Sequence, residues 1–313
     1  MIRSFIKGIK QSSRSWKMIL LLVAANILFA LPMAVPVFLF VMKSAGGTIF
    51  AQRLFNDNLD ALWFSDVIND RIPGASFANL GIELFVMLCA MGLIYLMANA
   101  FFAGGIIEVL ASEDGRFTMK KFFSGCGNSF WRFFRLLMVS IIFYGIAIGV
   151  FVLLMFRIES SDKLATIERP GALKIQAAVL LLLALLALVG AIQDYARIGA
   201  TLNDRRKMFR EWFKGARFVF RRFVSAYSLY VLIALVGLVV FALIAWLRGG
   251  VNQNSYLNVF LAFLVGQIAI ASRVWTRMTF YAAEIDLYRK LSQASATVEA
   301  ASIESAEPGE ASA

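Results

Sequence analysis

Six stretches of this chain contain no Asp, Glu, Lys or Arg: 18–42, 84–107, 136–156, 175–193, 223–247 and 249–272. A helix needs about 20 mostly apolar residues to cross a hydrocarbon layer some 30 Å thick, and each stretch meets or nearly meets that length. In lipid no water is available to backbone amides, so a crossing segment must satisfy them internally, as a helix does. Buried helices of soluble proteins rarely stay uncharged for so long, and six such stretches in one chain argue against a soluble domain. The composition agrees, with 60% apolar and 16% charged residues, where ordinary globular chains have roughly 45–50% and about 25%. The expected fold class is all-α: a polytopic membrane bundle of six transmembrane helices. The spans fall near 18–42, 80–107, 136–156, 172–193, 223–247 and 255–280, in one domain covering 1–290.

Basic residues set the expected orientation. Of the 31 Lys and Arg, 23 lie in the N-terminal segment, the second and fourth connections and the C-terminal flank. The other eight, among them Lys43, Arg71, Lys163 and Arg248, lie in the remaining connections and flanks. Both termini are therefore expected in the cytoplasm. The net charge of +11 reads as a topological signal and an attraction to anionic lipid, not as nucleic-acid binding. The first apolar stretch is too long for the core of a signal peptide and no small-x-small cleavage site follows it, so it reads as a retained span.

The basic connections resemble one another. Phe5-Ile6-Lys7-Gly8, Phe122-Phe123-Ser124-Gly125 and Trp212-Phe213-Lys214-Gly215 each open an amphipathic stretch, and a second aromatic (Trp16, Phe133, Phe223) follows eleven residues after the first. Asp114 and Asp204 sit at matching offsets before the second and third copies. This predicts three parallel helical-hairpin repeats, each preceded by a cytoplasmic amphipathic helix. In the first stretch Lys7, Lys10, Arg14 and Lys17 recur at helical spacing opposite Ile2, Phe5, Ile6 and Ile9. In the third, Arg206, Arg210, Lys214, Arg217 and Arg221 oppose Phe209, Trp212, Phe213, Ala216 and Phe220. A helix with one basic and one apolar face lies in the headgroup plane, which makes these cations candidate lipid-headgroup ligands. Juxtamembrane topology charge produces the same pattern, and the two readings are compatible.

Residues 43–79 interleave Asp57, Asp60, Asp66 and Asp70 with Leu54, Leu59, Trp63 and Val67, which predicts a short outer amphipathic helix. Residues 291–313 are rich in Ala, Ser and Glu without an aromatic, and read as a flexible acidic tail. Pro32 and Pro36 predict a kink in the first span. Gly145 and Gly149 form a small-xxx-small pair suited to close helix contact.

Ionisable residues at membrane depth are functional candidates. Glu83 lies in an apolar context near the outer end of the second span. Glu108, Asp194, Arg197, Arg273, Arg277 and Glu284 gather near the basic ends of the inward spans. A three-repeat arrangement would bring them together as a charged ring, either a gate at the cytoplasmic mouth or, the preferred reading, a salt-bridge network that fixes packing. Catalytic candidates are absent. The chain has no His, and neither nucleotide-binding, nucleophile-elbow nor zincin motifs. Cys89 and Cys126 have no metal-ligand spacing and could form at most one disulfide. No cofactor or metal is expected.

The aromatic-x-x-Gly segments feeding odd spans, at 122–133 and 212–223, resemble those of uncharacterised bacterial six-helix integral membrane proteins, including the membrane domain fused to some glycerophosphodiester phosphodiesterases. The resemblance covers about residues 1–290 and implies an inner-membrane location and a six-helix bundle. It carries over no catalytic residue. Mitochondrial carriers are excluded on residues, because Pro36 is followed by Val37 and Phe38 in place of their acidic motif. The expected function is a non-enzymatic membrane protein that organises partners or lipid at the cytoplasmic face. Its expected partners are a bilayer with anionic headgroups and either a membrane protein or a second copy of the chain. A small-solute transporter or channel is the alternative, and a lipid-active enzyme the third.

Overall fold

The structure is a computed structural model, and the residues described are 2–45, 77–112, 116–162, 169–205, 207–250 and 256–306. The expected outer helix of 43–79 lies almost wholly outside them. Among the described residues there are eight helices: α1 (Ile2–Arg14), α2 (Trp16–Ala45), α3 (Phe77–Ala111), α4 (Met119–Asp162), α5 (Arg169–Leu202), α6 (Met208–Arg221), α7 (Phe223–Gly249) and α8 (Tyr256–Ala306). Each charge-free stretch falls on one of the long helices, apart from the first residues of the last stretch. Pro32 and Pro36 both lie within α2, which continues past them.

Helices α3, α4, α5, α7 and α8 are each long and apolar enough to cross a membrane, and α2 becomes a sixth only when joined to α1 across a 71° bend. Their most apolar windows are only 11–28% buried within the protein. Leu153, Leu180, Phe241 and Trp246 are among the large side chains left more than half exposed. Apolar surface on that scale belongs against lipid. The chain is a multi-pass membrane protein.

Three amphipathic segments were expected, and their structures differ. Ser15 breaks the chain between α1 and α2, where its amide donates to Ser12 O at 3.1 Å. Arg222 breaks it between α6 and α7, donating to Phe218 O at 3.0 Å. The second segment has no break: residues 119–135 continue into the span as one 44-residue helix. At about 1.5 Å per residue α4 is roughly 65 Å long, far beyond the hydrocarbon thickness. Arg132, at the position matching Ser15 and Arg222, stays helical and pairs with Asp204 at 2.7 Å. Asp204 itself ends α5 in the left-handed region (φ 44°), a conformation that Asp tolerates better than most residues. Helix α8 runs on to Ala306, through Ala and Glu residues that are good helix formers.

The chain divides into two compact units. The first comprises Met1–Ser15, Ala100–Val236 and Trp275–Ala313, and it holds nearly all of the buried core. Here α4, α5 and α6 pack pairwise on one another. Trp212 of α6 stacks on Phe143 of α4 with ring centroids 3.8 Å apart. The second unit, Trp16–Asn99 and Gly237–Val274, buries little beyond Met18, Leu22 and Ala262. In it Tyr95 donates to Asn26 Oδ1 at 3.3 Å, and Asn26 donates to Leu22 O at 2.8 Å.

Close helix approach in the first unit uses glycines other than the expected pair. A Cβ on Gly145 or Gly149 would meet no atom within 4 Å. Both glycines are exposed, on a side of α4 turned away from the other described helices. A Cβ on Gly8 would lie 2.8 Å from Ala283 Cβ, and one on Gly215 2.9 Å from Ile192 O and 3.0 Å from Ala196 N. One on Gly125 would lie 2.5 Å from Glu108 Cβ and 3.2 Å from Gly104 O. The glycine of each aromatic-x-x-Gly motif thus seats its helix against α8, α5 or α3.

Candidate functional site

Residues 189–200 of α5 are all buried. Three turns of helix are enclosed on every side, although they include Gln193, Asp194 and Arg197. A buried charge needs a partner and hydrogen bonds, and α8 supplies both. Arg277 donates from Nη1 to Asp194 Oδ2 at 3.2 Å and from Nη2 to Oδ1 at 3.1 Å, a two-pronged fork. Arg197, one turn along α5 from Asp194, donates to Oδ1 of the same carboxylate at 3.4 Å. Both guanidinium groups donate to the hydroxyl of Tyr281, at 2.9 Å from Arg197 and 2.8 Å from Arg277. The Arg277 guanidinium also lies 4.8 Å from the Tyr281 ring centroid, and Arg197 lies 5.7 Å from that of Phe133. Asp194 is 1% exposed and Arg277 about a third, at 34%.

Glu284, one turn beyond Tyr281, is fully buried within electrostatic reach of Asp194, Arg277 and Arg197. Among the described residues neither of its carboxylate oxygens has a hydrogen-bond partner, and the same holds for Gln193 Nε2 and the Tyr195 hydroxyl. Tyr144 donates to Gln193 Oε1 at 3.4 Å.

Of the six residues expected in the charged ring, the structure brings Asp194, Arg197, Arg277 and Glu284 together. Glu108 instead covers Gly125 at the end of α3. Arg273 is an exposed residue of the second unit. Glu83 lies among residues whose side chains are outside the described set. The sequence reading missed Tyr281, the hydroxyl on which both arginines converge. Its signal was present: Arg277, Tyr281 and Glu284 recur at steps of four and three, one face of α8.

The amphipathic helices prove to have three faces each. On α1, Ser4, Gly8 and Ser12 are buried, Ile2 and Ile6 are exposed, and Lys7, Lys10 and Arg14 are exposed on a third side. The small face meets α8, with Gly8 on Ala283 and Lys290 Nζ donating to Ser4 Oγ at 3.2 Å. Of the side expected to face lipid, Ile2 and Ile6 are exposed while Phe5 is half-buried against the core, and the close approach itself is made by small residues. On α6, Met208, Glu211, Trp212, Gly215, Ala216 and Val219 are buried, while Phe209, Phe213 and Phe220 stay exposed beside Arg210, Lys214, Arg217 and Arg221. Trp212 and Ala216, assigned from sequence to a lipid face, face the protein instead. Buried Glu211 is paired with Lys214 at 2.8 Å and Arg205 at 3.3 Å. Lys17 of α2 is exposed and lies 5.9 Å from the Trp16 ring centroid. Arg206 is outside the described residues.

Among the described residues no group of three or more His, Cys, Asp or Glu could hold a metal. Both cysteines are free, Cys126 buried and Cys89 exposed. In detergent-solubilised folded protein the buried Cys126 thiol should therefore resist N-ethylmaleimide, and a Cys89→Ala variant should stay unlabelled until denaturant is added, as counted by intact mass. No protein-family profile, curated protein or solved structure matches this chain.

Proposed function

We propose that this chain is a non-enzymatic membrane protein that organises anionic lipid, and partners held there, at the cytoplasmic face. The observation that carries this reading is the three-sided design of α1 and α6. One side is seated on the protein, one presents exposed apolar residues suited to acyl chains, and one presents exposed cations suited to lipid phosphates. Each such cation contributes about 1 kcal/mol near an anionic surface. The shared seating of Gly8, Gly125 and Gly215 against α8, α3 and α5 supports a threefold repeat of amphipathic segment and hairpin. The basic flanks support a topology with both termini cytoplasmic. The sequence resemblance supports a bacterial inner membrane.

The test uses the full chain in nanodiscs of mixed phosphatidylglycerol and phosphatidylcholine. Wild type should enrich phosphatidylglycerol in its lipid shell, and Arg210→Ser/Lys214→Ser/Arg217→Ser/Arg221→Ser should lose most of that enrichment. Enrichment should also fall as salt is raised from 50 mM to 500 mM, since exposed charges are screened. A shell with the bulk lipid ratio at low salt would rule the reading out.

One observation favours a second reading, a transporter or channel for a small solute. The unpartnered polar atoms of Gln193, Tyr195 and Glu284 adjoin the buried network, and such atoms are ordinarily satisfied by water or an ion. Solute flux into liposomes that Glu284→Gln abolishes, with the fold intact, would establish that reading over the first.

A further inference from the structure

A depression of about 310 Å³ opens in the first unit where α1, the C-terminal end of α3 and α8 meet. That is at the lower end of the range for small-ligand sites. Lys7, Lys10 and Arg14 line one wall from positions i, i+3 and i+7 of α1, and Arg289 lines another from α8. Asp286 is the one acid among the lining residues. Its charge is already met, by Lys7 at 2.6 Å and by Lys290 on the next turn. The helix end is also satisfied without a ligand: Gln11 donates to Leu110 O at 2.9 Å and Arg289 donates to Ala111 O. What remains is Lys10 and Arg14, two cations on one wall with no ion-pair or hydrogen-bond partner among the described residues. The lining holds four cations, Lys7, Lys10, Arg14 and Arg289, against the single carboxylate of Asp286, an excess of positive charge suited to an anion.

We propose that this cavity binds a phosphate ester, with Lys10 and Arg14 as its principal ligands and Arg289 contributing a donor from the opposite wall. The inference rests on the lipid-organising reading and sharpens it, because exposed Ile2 and Ile6 place α1 where acyl chains begin and the cavity where headgroups lie. A lipid phosphodiester and a soluble phosphate ester offer the same chemistry, and the experiment separates them.

Full-length protein in detergent would be titrated with short-chain phosphatidylglycerol, with glycerol 1-phosphate and with phosphatidylcholine. Bound species would be counted by native mass spectrometry. One phosphatidylglycerol should be retained per chain, and Lys10→Gln/Arg14→Gln should retain it about thirty-fold more weakly. Lys10→Arg should restore binding in the Arg14 background, which a mere folding defect would not allow. Arg210→Gln/Arg217→Gln on α6 should leave this one lipid in place. Equal binding of glycerol 1-phosphate would support the site and identify its ligand as soluble. Binding of all three probes unchanged in Lys10→Gln/Arg14→Gln, or absent from wild type, would overturn the site. That result would leave the broader reading standing wherever the nanodisc shell is still enriched in anionic lipid.

Discussion

Asp194→Ala should destabilise the folded protein by roughly 3–5 kcal/mol, the range found when one partner of a buried ion pair is removed. The size follows from what is left behind. Arg197 keeps its charge in surroundings where its side chain is 4% exposed, and Arg277 loses both prongs of its fork. Tyr281 can accept from both guanidinium groups but cannot neutralise either. The loss is therefore two cations deprived of the carboxylate they share, not a missing hydrogen bond, which alone is worth about 1 kcal/mol. Arg277→Ala should cost less, because that side chain is a third exposed and can already be partly hydrated. Replacing both partners by similar apolar volume, Asp194→Leu/Arg277→Met, should recover much of the loss despite being the larger change, since Arg197 alone remains to be accommodated. Unfolding in mixed micelles with increasing dodecyl sulfate measures all three. A cost below about 1 kcal/mol for Asp194→Ala would show that this network is solvated and assign it to a water-filled path instead of to packing.

The same residues show how much of the site was legible beforehand. Asp194 and Arg197 are three residues apart in a sequence otherwise free of charge for a long run, so their shared helix face and their cost in lipid could both be read from spacing. That Arg277 would be the partner could be read only as far as membrane depth: both lie at the basic ends of spans. The choice between Arg273 and Arg277 was beyond the sequence. The two differ by four residues, about one helical turn along the same face, and which of them reaches Asp194 depends on the axial register of α8 against α5. Tyr281 was missed because tyrosine in an aromatic-rich membrane chain carries no signal of its own until its hydroxyl has something to bond.

For the fold, the long windows located the helices well because lipid makes the backbone rule nearly absolute. Faces were harder. The aromatic and apolar residues of α1 and α6 were read as one lipid-facing side, which left no side to seat either helix on the protein. Small residues take that task where helices approach closely, joined on α6 by Met208, Trp212 and Val219. Ser4, Gly8 and Ser12 seat α1 for that reason, while Ile6 remains outside. The failed expectation for Gly145 and Gly149 has the same root: small-xxx-small spacing permits close contact without saying that a partner is present. Gly8, Gly125 and Gly215 carried a further mark, an aromatic three residues earlier, but Gly249 and Gly266 share it and have nothing within 4 Å of an added Cβ.

Gly215→Leu should release α6 from the bundle. Any Cβ there meets the Ile192 carbonyl oxygen at 2.9 Å and the Ala196 amide nitrogen at 3.0 Å, backbone atoms that cannot turn aside as a flexible side chain can. Overpacking of this kind costs about 1–3 kcal/mol in a soluble core, where expulsion of the helix would expose Met208, Trp212 and Val219 to water at roughly 1.5–3 kcal/mol each. There the helix would stay and strain. At a membrane surface the expelled face can turn toward lipid, which removes most of that opposing term and leaves close van der Waals contact as what seats α6. Release should be visible as proteolysis: Arg210, Lys214 and Arg217 are exposed but helical, and trypsin should cut there about tenfold faster or more in the variant than in wild type, corresponding to a loss of at least about 1.4 kcal/mol of docking. Gly215→Ala should give an intermediate rate. Gly145→Ala, with nothing within 4 Å of the new methyl, should leave cleavage unchanged and raise helix stability by up to about 1 kcal/mol. Equal cleavage in Gly215→Leu and wild type would mean that α6 is held by its buried Trp212 and Glu211 and not by the glycine contact.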